Sequence, residues 1–406
     1  MSSTLDSSTA RNWLLPDGVA DILFKDAQKQ ESLRDALLFV LTAHGYRLVS
    51  PPLIEYTETL LGAADEELKR QTFKIIDQMT GRLMGVRADI TPQITRIDAQ
   101  HGVGISRYCY VGQVVKTLPT GLFGLRTPLQ LGAEIFGVKD IAAEKSLIDL
   151  LGTLMDHIGM ARSDLHVDIG HVAIFQRLCQ LHKLSEKSIS QLMACYTKKD
   201  LPQLQVLCSD LTGGNDFIVL AKHTLSMDDT PNAQNLLQKL SPVAAADIDI
   251  VKAAGEVANL VAHIDQAGMS VSVDCTELSG YHYHTGIVFN AYLTCSDATQ
   301  TQALVRGGRF CANAHRQATG FSMDINRLLE FIELQEDTVI WVDYDELIAA
   351  DELRQIDLEV QIKTLQDEGC IVIKPLSADD KPEHIDGVLH FDESLGEWAV
   401  RLSGDD

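Results

Sequence analysis

The chain has 406 residues and an apolar share of 45%, the values of an ordinary globular protein of two or three domains. Its net charge is −23 and is uneven: residues 336–406 hold 20 acidic against 5 basic side chains, a local −15. A segment that acidic repels a phosphate backbone, which excludes it as a nucleic-acid surface, and no stretch approaches the run of about 18 apolar residues that spans a membrane.

In chain order, the opening "MSSTLDSSTA" is polar and lacks a basic stretch followed by an apolar one. Residues 1–12 therefore read as a disordered tail, and the protein as cytoplasmic. "ESLRDALLFVLTAHGY" sets Leu33, Ala36, Leu37, Val40 and Leu41 at i, i+3, i+4, i+7 and i+8, an amphipathic helix ended near Gly45. "YRLVSPPLIEY" is extended, because Pro51 and Pro52 forbid helix. "QTFKIIDQMTGRLMGVR" predicts a hairpin turning at Gly81. "TPQITRIDAQHG" predicts a short helix with Thr91 as N-cap and Pro92 in first position. "SRYCYVGQVV" and "PLQLGAEIFGV" form a second strand pair. Residues 140–160 and much of 171–265 are helical by pattern, broken at "LTGGND". Strands return at "SVSVDC", "YHYHTGIVFNAYL" and "TQALVRGGRF", and "FSMDINRLLEFIEL" predicts a helix. A β-α-β unit follows in "TVIWVDY", "DELRQIDLEVQIKTLQDEG" and "CIVIKP". Strands grouped in hairpins around a helical stretch give an α+β fold with an antiparallel sheet.

Residues able to do chemistry gather in few places. In "LQLGAEIFG", Gln130 and Glu134 share one strand face with Gly132 between them. That face is either an opening lined by hydrogen-bonding groups or a buried polar pair bonded to each other. Asp89 in "VRADIT" ends a strand before a helix, as a capping aspartate or as a carboxylate aimed at a ligand amine. "GYHYHTG" places His282 and His284 at alternate strand positions, which suits a polar wall or ordinary hydrogen-bonded histidines. A metal site needs a third ligand that the spacing does not supply, so none is expected. The eight cysteines are scattered without C-x-x-C and read as reduced, buried thiols. Neither common phosphate-binding loop, nor G-x-S-x-G, nor H-E-x-x-H occurs, and no cofactor is expected.

Six ordered blocks carry a resemblance: "YRLVSPPLIEYTETLLG", "FKIIDQMTGRLMGVRADIT", "YCYVGQVVKTLPTGLFGLRTPLQLGAEIFG", "GYHYHTGIVF", "VRGGRF" and "TGFSMDINRLL". Together they resemble the catalytic domain of histidyl-tRNA synthetase, a class II aminoacyl-tRNA synthetase. The resemblance implies a core over residues 13–335 built on an antiparallel sheet flanked by helices. It also implies a helical insertion at about 171–265 and a small acidic α/β domain over 336–406. Pro52 and Glu55 match the dimer-forming first motif. Asp89, Thr91, Arg126, Gln130, Glu134, Tyr283 and His284 fall where that family binds histidine, with His284 in place of a tyrosine.

The departures fall on the adenylation groups. Lys116 stands where the second motif's arginine grips phosphate and carboxylate, and Leu118 where its glutamate holds the adenine amine. Pro128 replaces the aromatic that stacks on adenine, and Ser279 replaces a second catalytic arginine. Arg327 remains, either as the third motif's arginine or as a helix residue paired with Asp324. Lysine cannot reproduce a planar bidentate grip, and each lost charged contact costs about 3 kcal/mol, near a hundredfold in rate.

A histidine pocket kept and an adenylation site lost resembles the regulatory subunits of ATP phosphoribosyltransferase. That likeness implies a non-catalytic, allosteric chain in the first step of histidine biosynthesis. It would join a short-form catalytic subunit in a hetero-octamer of four and four, dimerise through its core, activate its partner and admit feedback by L-histidine. The serine at 279 weakens the hold on a ligand carboxylate, a role Lys116 is placed to take. A free-standing histidine sensor, and an adenylate-forming enzyme resting on Lys116 and Arg327, are the competing readings.

Overall fold

The computed structural model describes residues 14–62, 66–119, 124–224, 233–278, 280–281, 283–294, 303–312, 316–332, 338–382 and 384–402. The chain divides into two compact units, Met1–Ile332 and Glu333–Asp406.

In the first unit, α1 (Phe24–Ala43) buries Leu33, Leu37, Val40 and Leu41 along one stripe. The chain leaves it through Gly45, whose φ of +80° only glycine adopts freely. There follow β1 (Arg47–Leu48), β2 (Ile54–Tyr56), α2 (Thr57–Leu60) and α3 (Glu66–Gln71), then the hairpin of β3 (Phe73–Ile76) and β4 (Leu83–Val86). β2, β4 and β3 make a small antiparallel sheet. Next come α4 (Thr91–His101), β5 (Ser106–Gln113), β6 (Leu129–Phe136), α5 (Ala142–His157) and β7 (Leu165–His171). The helical stretch is α6 (Val172–Leu181), α7 (Glu186–Thr197), α8 (Leu201–Ser209), α9 (Gly214–Thr224), α10 (Ala233–Lys239), α11 (Pro242–Ala245) and α12 (Ile248–Gln266). The unit closes with β8 (Ser270–Val273), β9 (His284–Leu293), β10 (Val305–Cys311), β11 (Gln317–Asp324) and α13 (Ile325–Leu328).

The main sheet runs β1-β5-β6-β11-β10-β9-β7-β8. Its inner pairings are antiparallel, and only the edge strands β1 and β8 pair in parallel. Alternation along β6 sorts its side chains. Leu131, Ala133 and Ile135 enter the large core shared with α1, α5, α6 and α12. Each such leucine or isoleucine contributes about 1.5–3 kcal/mol. Gln130, Gly132, Glu134 and Phe136 face the other side, where a smaller cluster gathers Ile90, Ile94, Tyr108, Tyr110 and Phe310. On the helical side Arg309 donates to both oxygens of buried Glu144, at 2.7 and 3.0 Å, and reaches Glu256 at 3.2 Å.

Four local expectations change. Thr91 is the first residue of α4 rather than its cap, Ile90 holding that place. The strand β7 lies in a stretch given no element by pattern, although Leu165, Val167 and Ile169 are buried in alternation with half-exposed His166 and Asp168. The segment from Phe321 is a strand: β11 is hydrogen-bonded to β6 and β10 on its two sides, and only the single turn of α13 is helical after Asp324, whose carboxylate caps it. Two-sided pairing overrides the apolar spacing that suggested a helix. β9 starts at His284 rather than at Tyr281, and Tyr283 is in a turn; the alternation expected of His282 with His284 rests on His282, which lies outside the described residues. Within residues 171–265, α6 and α12 complete the core against β7 and β9.

The second unit holds β12 (Val339–Val342), α14 (Tyr344–Ala349), α15 (Glu352–Asp367), β13 (Ile371–Ile373), β14 (Gly387–Asp392) and β15 (Glu397–Leu402). Its sheet order is β13-β12-β14-β15, so the anticipated β-α-β unit is extended by a hairpin.

Candidate functional site

The polar side chains on the α4-facing side of β6 meet the segment between β4 and α4. Gln130 donates from Nε2 to Asp89 Oδ1 at 2.8 Å, and its Oε1 accepts from the Ile90 amide at 3.2 Å. The Ile90 amide also donates to Asp89 Oδ1 at 2.8 Å. Asp89 and Gln130 thus hold each other, rather than Gln130 and Glu134, and the carboxylate is fixed half-buried at the strand end.

Glu134 is 1% exposed, and among the described residues the donors beside its carboxylate are the Thr91 and Tyr110 hydroxyls, neither in full hydrogen-bond geometry. Burial raises its pKa well above the usual carboxylate range. The Thr91 and Tyr110 hydroxyls nearby oppose that rise, and the Asp89 and Asp98 charges add to it. A buried carboxyl bonded this poorly is costly, and a ligand N–H would offset the cost.

Gly132 is not an opening. Tyr110, its register partner on β5, lays its ring across the glycine, where a Cβ would come within 2.2 Å of the ring. The Tyr110 hydroxyl meets Thr91 Oγ1 at 3.3 Å. Gly320 serves the same purpose under Glu134, whose Cγ would stand 2.6 Å from an added Cβ. The glycines make room for side chains that wall the site, and the space belongs to them rather than to a ligand. Pattern reading missed Tyr110; the aromatic-over-glycine pairing that would have found it needs the strand register first.

Charges of both signs converge on Lys116. Burial lowers the pKa of Lys116, opposed by the negative charges of Asp89 and Asp324, while Arg306 and Arg327 add to the lowering. Asp324, facing Gln130 across the β6–β11 pair, has its carboxyl raised by burial and held down by Arg327 and Lys116. Arg327 donates to the Ala303 carbonyl at 2.8 Å and pairs with Asp324 at 3.5 Å, so the helix-neighbour pairing is realised. Tyr283 stacks on Phe310 with centroids 4.8 Å apart and meets His284 edge-on at 5.2 Å. His284 Nδ1 lies 3.3 Å from the Arg309 carbonyl oxygen.

The structure therefore gathers Asp89, Thr91, Gln130 and Glu134 with Lys116 at one side, and puts Tyr283 against the same apolar cluster. Arg126 stands apart: its guanidinium donates to the carbonyls of Lys116 and Asp17 and lies over the Phe73 ring. Leu118 is exposed and Pro128 buried, while Ser279 lies outside the described residues. Among the described residues no group of three or more His, Cys, Asp and Glu is placed to hold a metal ion. Chemically the site offers carboxylates to a ligand ammonium and ring N–H, with Lys116 as the nearby cation.

Residues 18–328 match the histidyl-tRNA synthetase family model. An ATP phosphoribosyltransferase regulatory subunit of Psychrobacter arcticus is 53% identical over 381 residues, covering 91% of this chain and 95% of that protein. An ATP phosphoribosyltransferase regulatory subunit/histidyl-tRNA synthetase from Bacillus halodurans has a similar fold, with a TM-score of 0.74 at 21% identity, covering 90% of this chain and 95% of that one. A chain of the ATP phosphoribosyltransferase complex from Thermotoga maritima also has a similar fold, with a TM-score of 0.56 at 15% identity, covering 72% of this chain and 96% of its own.

Proposed function

The chain belongs to the family of ATP phosphoribosyltransferase regulatory subunits, on a histidyl-tRNA synthetase-like class II fold, and from that premise we propose that it activates a short-form catalytic subunit and carries the site through which L-histidine feeds back. It is a regulatory chain of histidine biosynthesis and performs no catalysis of its own. The observation that carries the histidine half is Glu134, a buried carboxyl with only the Thr91 and Tyr110 hydroxyls near it among the described residues, beside the Asp89–Gln130 pair. Histidine brings the groups such a site needs: an ammonium for Asp89, a ring N–H for Glu134 and a carboxylate for Lys116. A regulator requires only that this ligand bind two states of a complex unequally.

We place the chain in the cytoplasm as a dimer within a hetero-octamer of four and four. Support for the dimer comes from Leu53, Ile54, Ile75, Ile76, Met79 and Leu83, exposed apolar side chains on and beside the β2-β4-β3 sheet. Next to them Glu55 is fixed by Gln93 at 2.9 Å and Arg96 at 2.6 Å, and Pro52 offers its carbonyl to Gln93 at 2.8 Å.

The test is the steady-state activity of the short catalytic subunit from the same organism, with and without this chain, under a histidine titration. Raised turnover, with inhibition by histidine that Glu134→Gln weakens at least tenfold, is the expected result. Absence of any effect on the catalytic subunit overturns the activating role. Histidine binding to the isolated chain would then leave a free sensor, and ATP–pyrophosphate exchange would reveal an adenylate-forming enzyme.

A further inference from the structure

Helix α15 is apolar on two opposite sides. Leu358, Ile362 and Leu365 are buried against the sheet of the second unit with Ile340, Val342 and Leu389. On the far side Leu353, Ile356 and Val360 are 73%, 56% and 62% exposed, at the i, i+3 and i+7 spacing of a single stripe. Exposed Ile348 of α14 and exposed Leu395, in the turn between β14 and β15, lie at the same end of the unit, because Arg354 pairs with Glu393 of that turn at 3.1 Å. A helix with two apolar sides normally buries both, and single scattered leucines do not make such a stripe.

The surroundings of the stripe say what covers it. From Asp343 to Lys363 there are seven acidic residues and two basic residues, Arg354 and Lys363. Arg354 is turned inward over the Phe391 ring, 4.0 Å from its centroid. Exposed Glu352 and Asp357 therefore flank the stripe, and exposed Lys363, one turn beyond Val360, is the cation at its far end. The rim is acidic overall, which works against a second copy of the same surface and repels anionic lipid and nucleic acid.

We propose that the Leu353–Ile356–Val360 stripe docks on an apolar patch rimmed by lysine and arginine on the catalytic subunit. The inference rests on the regulatory reading above and gives the acidic second unit its part in it: the apolar stripe holds the partner, and the carboxylates steer and orient it.

The experiment uses the full-length chain, the catalytic subunit from the same organism and binding kinetics at about 50 and 500 mM salt. Ile356→Asp with Val360→Asp is expected to weaken binding by about thirtyfold or more. Because both positions are exposed, the mass of the chain alone, and its melting temperature at the higher salt where added charge is screened, should stay unchanged. Glu352→Lys with Asp357→Lys is expected to slow association by about tenfold at low salt, with the difference fading at high salt. Native affinity in the aspartate variant overturns the proposal. So does a melting temperature lowered at the higher salt, or an altered mass, of that variant alone, which would make its own chain or a second copy the occupant. Native association rates in the lysine variant overturn the basic rim. A native chain that does not bind the catalytic subunit overturns the regulatory reading itself, which separates that failure from one confined to α15.

Discussion

Glu134 costs the fold stability that a ligand can restore. Its folded pKa lies well above the ordinary 4.5 because of burial. As pH rises past the unfolded value, the unfolded chain gives up a proton that the fold retains, so stability falls until the folded pKa is reached. Glu134→Gln keeps the shape and removes this titration. The variant should be more stable than the native chain at pH 8 by about 1–3 kcal/mol, a rise of several degrees in Tm, and should show no such gain at pH 4. Thermal melts at the two pH values check it, and an equal or lower Tm at pH 8 contradicts the account. Arg309 is the converse case. Removing its guanidinium leaves Glu144, fully buried, as a lone charge in the core. Arg309→Met should cost about 3–5 kcal/mol in denaturant unfolding, and adding Glu144→Gln should recover much of it.

At the scale of elements, the wall of the site is made by strand register. Gly132 faces Tyr110 across β5 and β6, and the ring fills the glycine's space. Gly132→Ala must push the ring aside, which costs about 1–3 kcal/mol and loosens the Thr91–Tyr110 contact. In a Tyr110→Ala background the same methyl has room, so the two changes should be clearly less than additive in a double-mutant cycle; additivity would mean that the ring does not depend on the glycine. This also marks what pattern reading can reach. The strand face of Gln130 and Glu134, the hairpin at Gly81 and the helix at Leu33–Leu41 follow from period and turn chemistry alone. Whether Gly132 is a hole or a seat for Tyr110, and whether Gln130 bonds Glu134 or Asp89, depends on which strand lies alongside. The residue at 321 reads as helix for the same reason: its neighbours along the chain are apolar at helical spacing, but its neighbours in space are β6 and β10. Lys116 gains its meaning only when Asp89, Asp324, Arg306 and Arg327 converge on it from distant segments.

At the scale of the molecule, charge and core are shared unequally between the two units. The first has a large apolar core, while the second has seven buried apolar residues in its own cluster. Residues 336–406 also carry −15 of the chain's −23. A small core gives little margin, and self-repulsion at this density reduces it further. Salt acts oppositely on attraction and repulsion. It weakens surface ion pairs such as Arg354–Glu393, worth about 0–1 kcal/mol each, and it screens the excess of like charge, which has no compensating partner in the count. Repulsion outweighs attraction in the second unit, so salt should stabilise it. The first unit keeps its strongest pair, Arg309–Glu144, buried where screening is weak. Calorimetry of the full chain should therefore resolve two transitions, since separate units need not melt together. Raising salt from about 20 to 500 mM, which shortens the screening length severalfold, should move the lower transition up by several degrees and leave the upper one nearly fixed. A single transition that falls with salt would mean that ion pairs, rather than excess charge, govern the second unit.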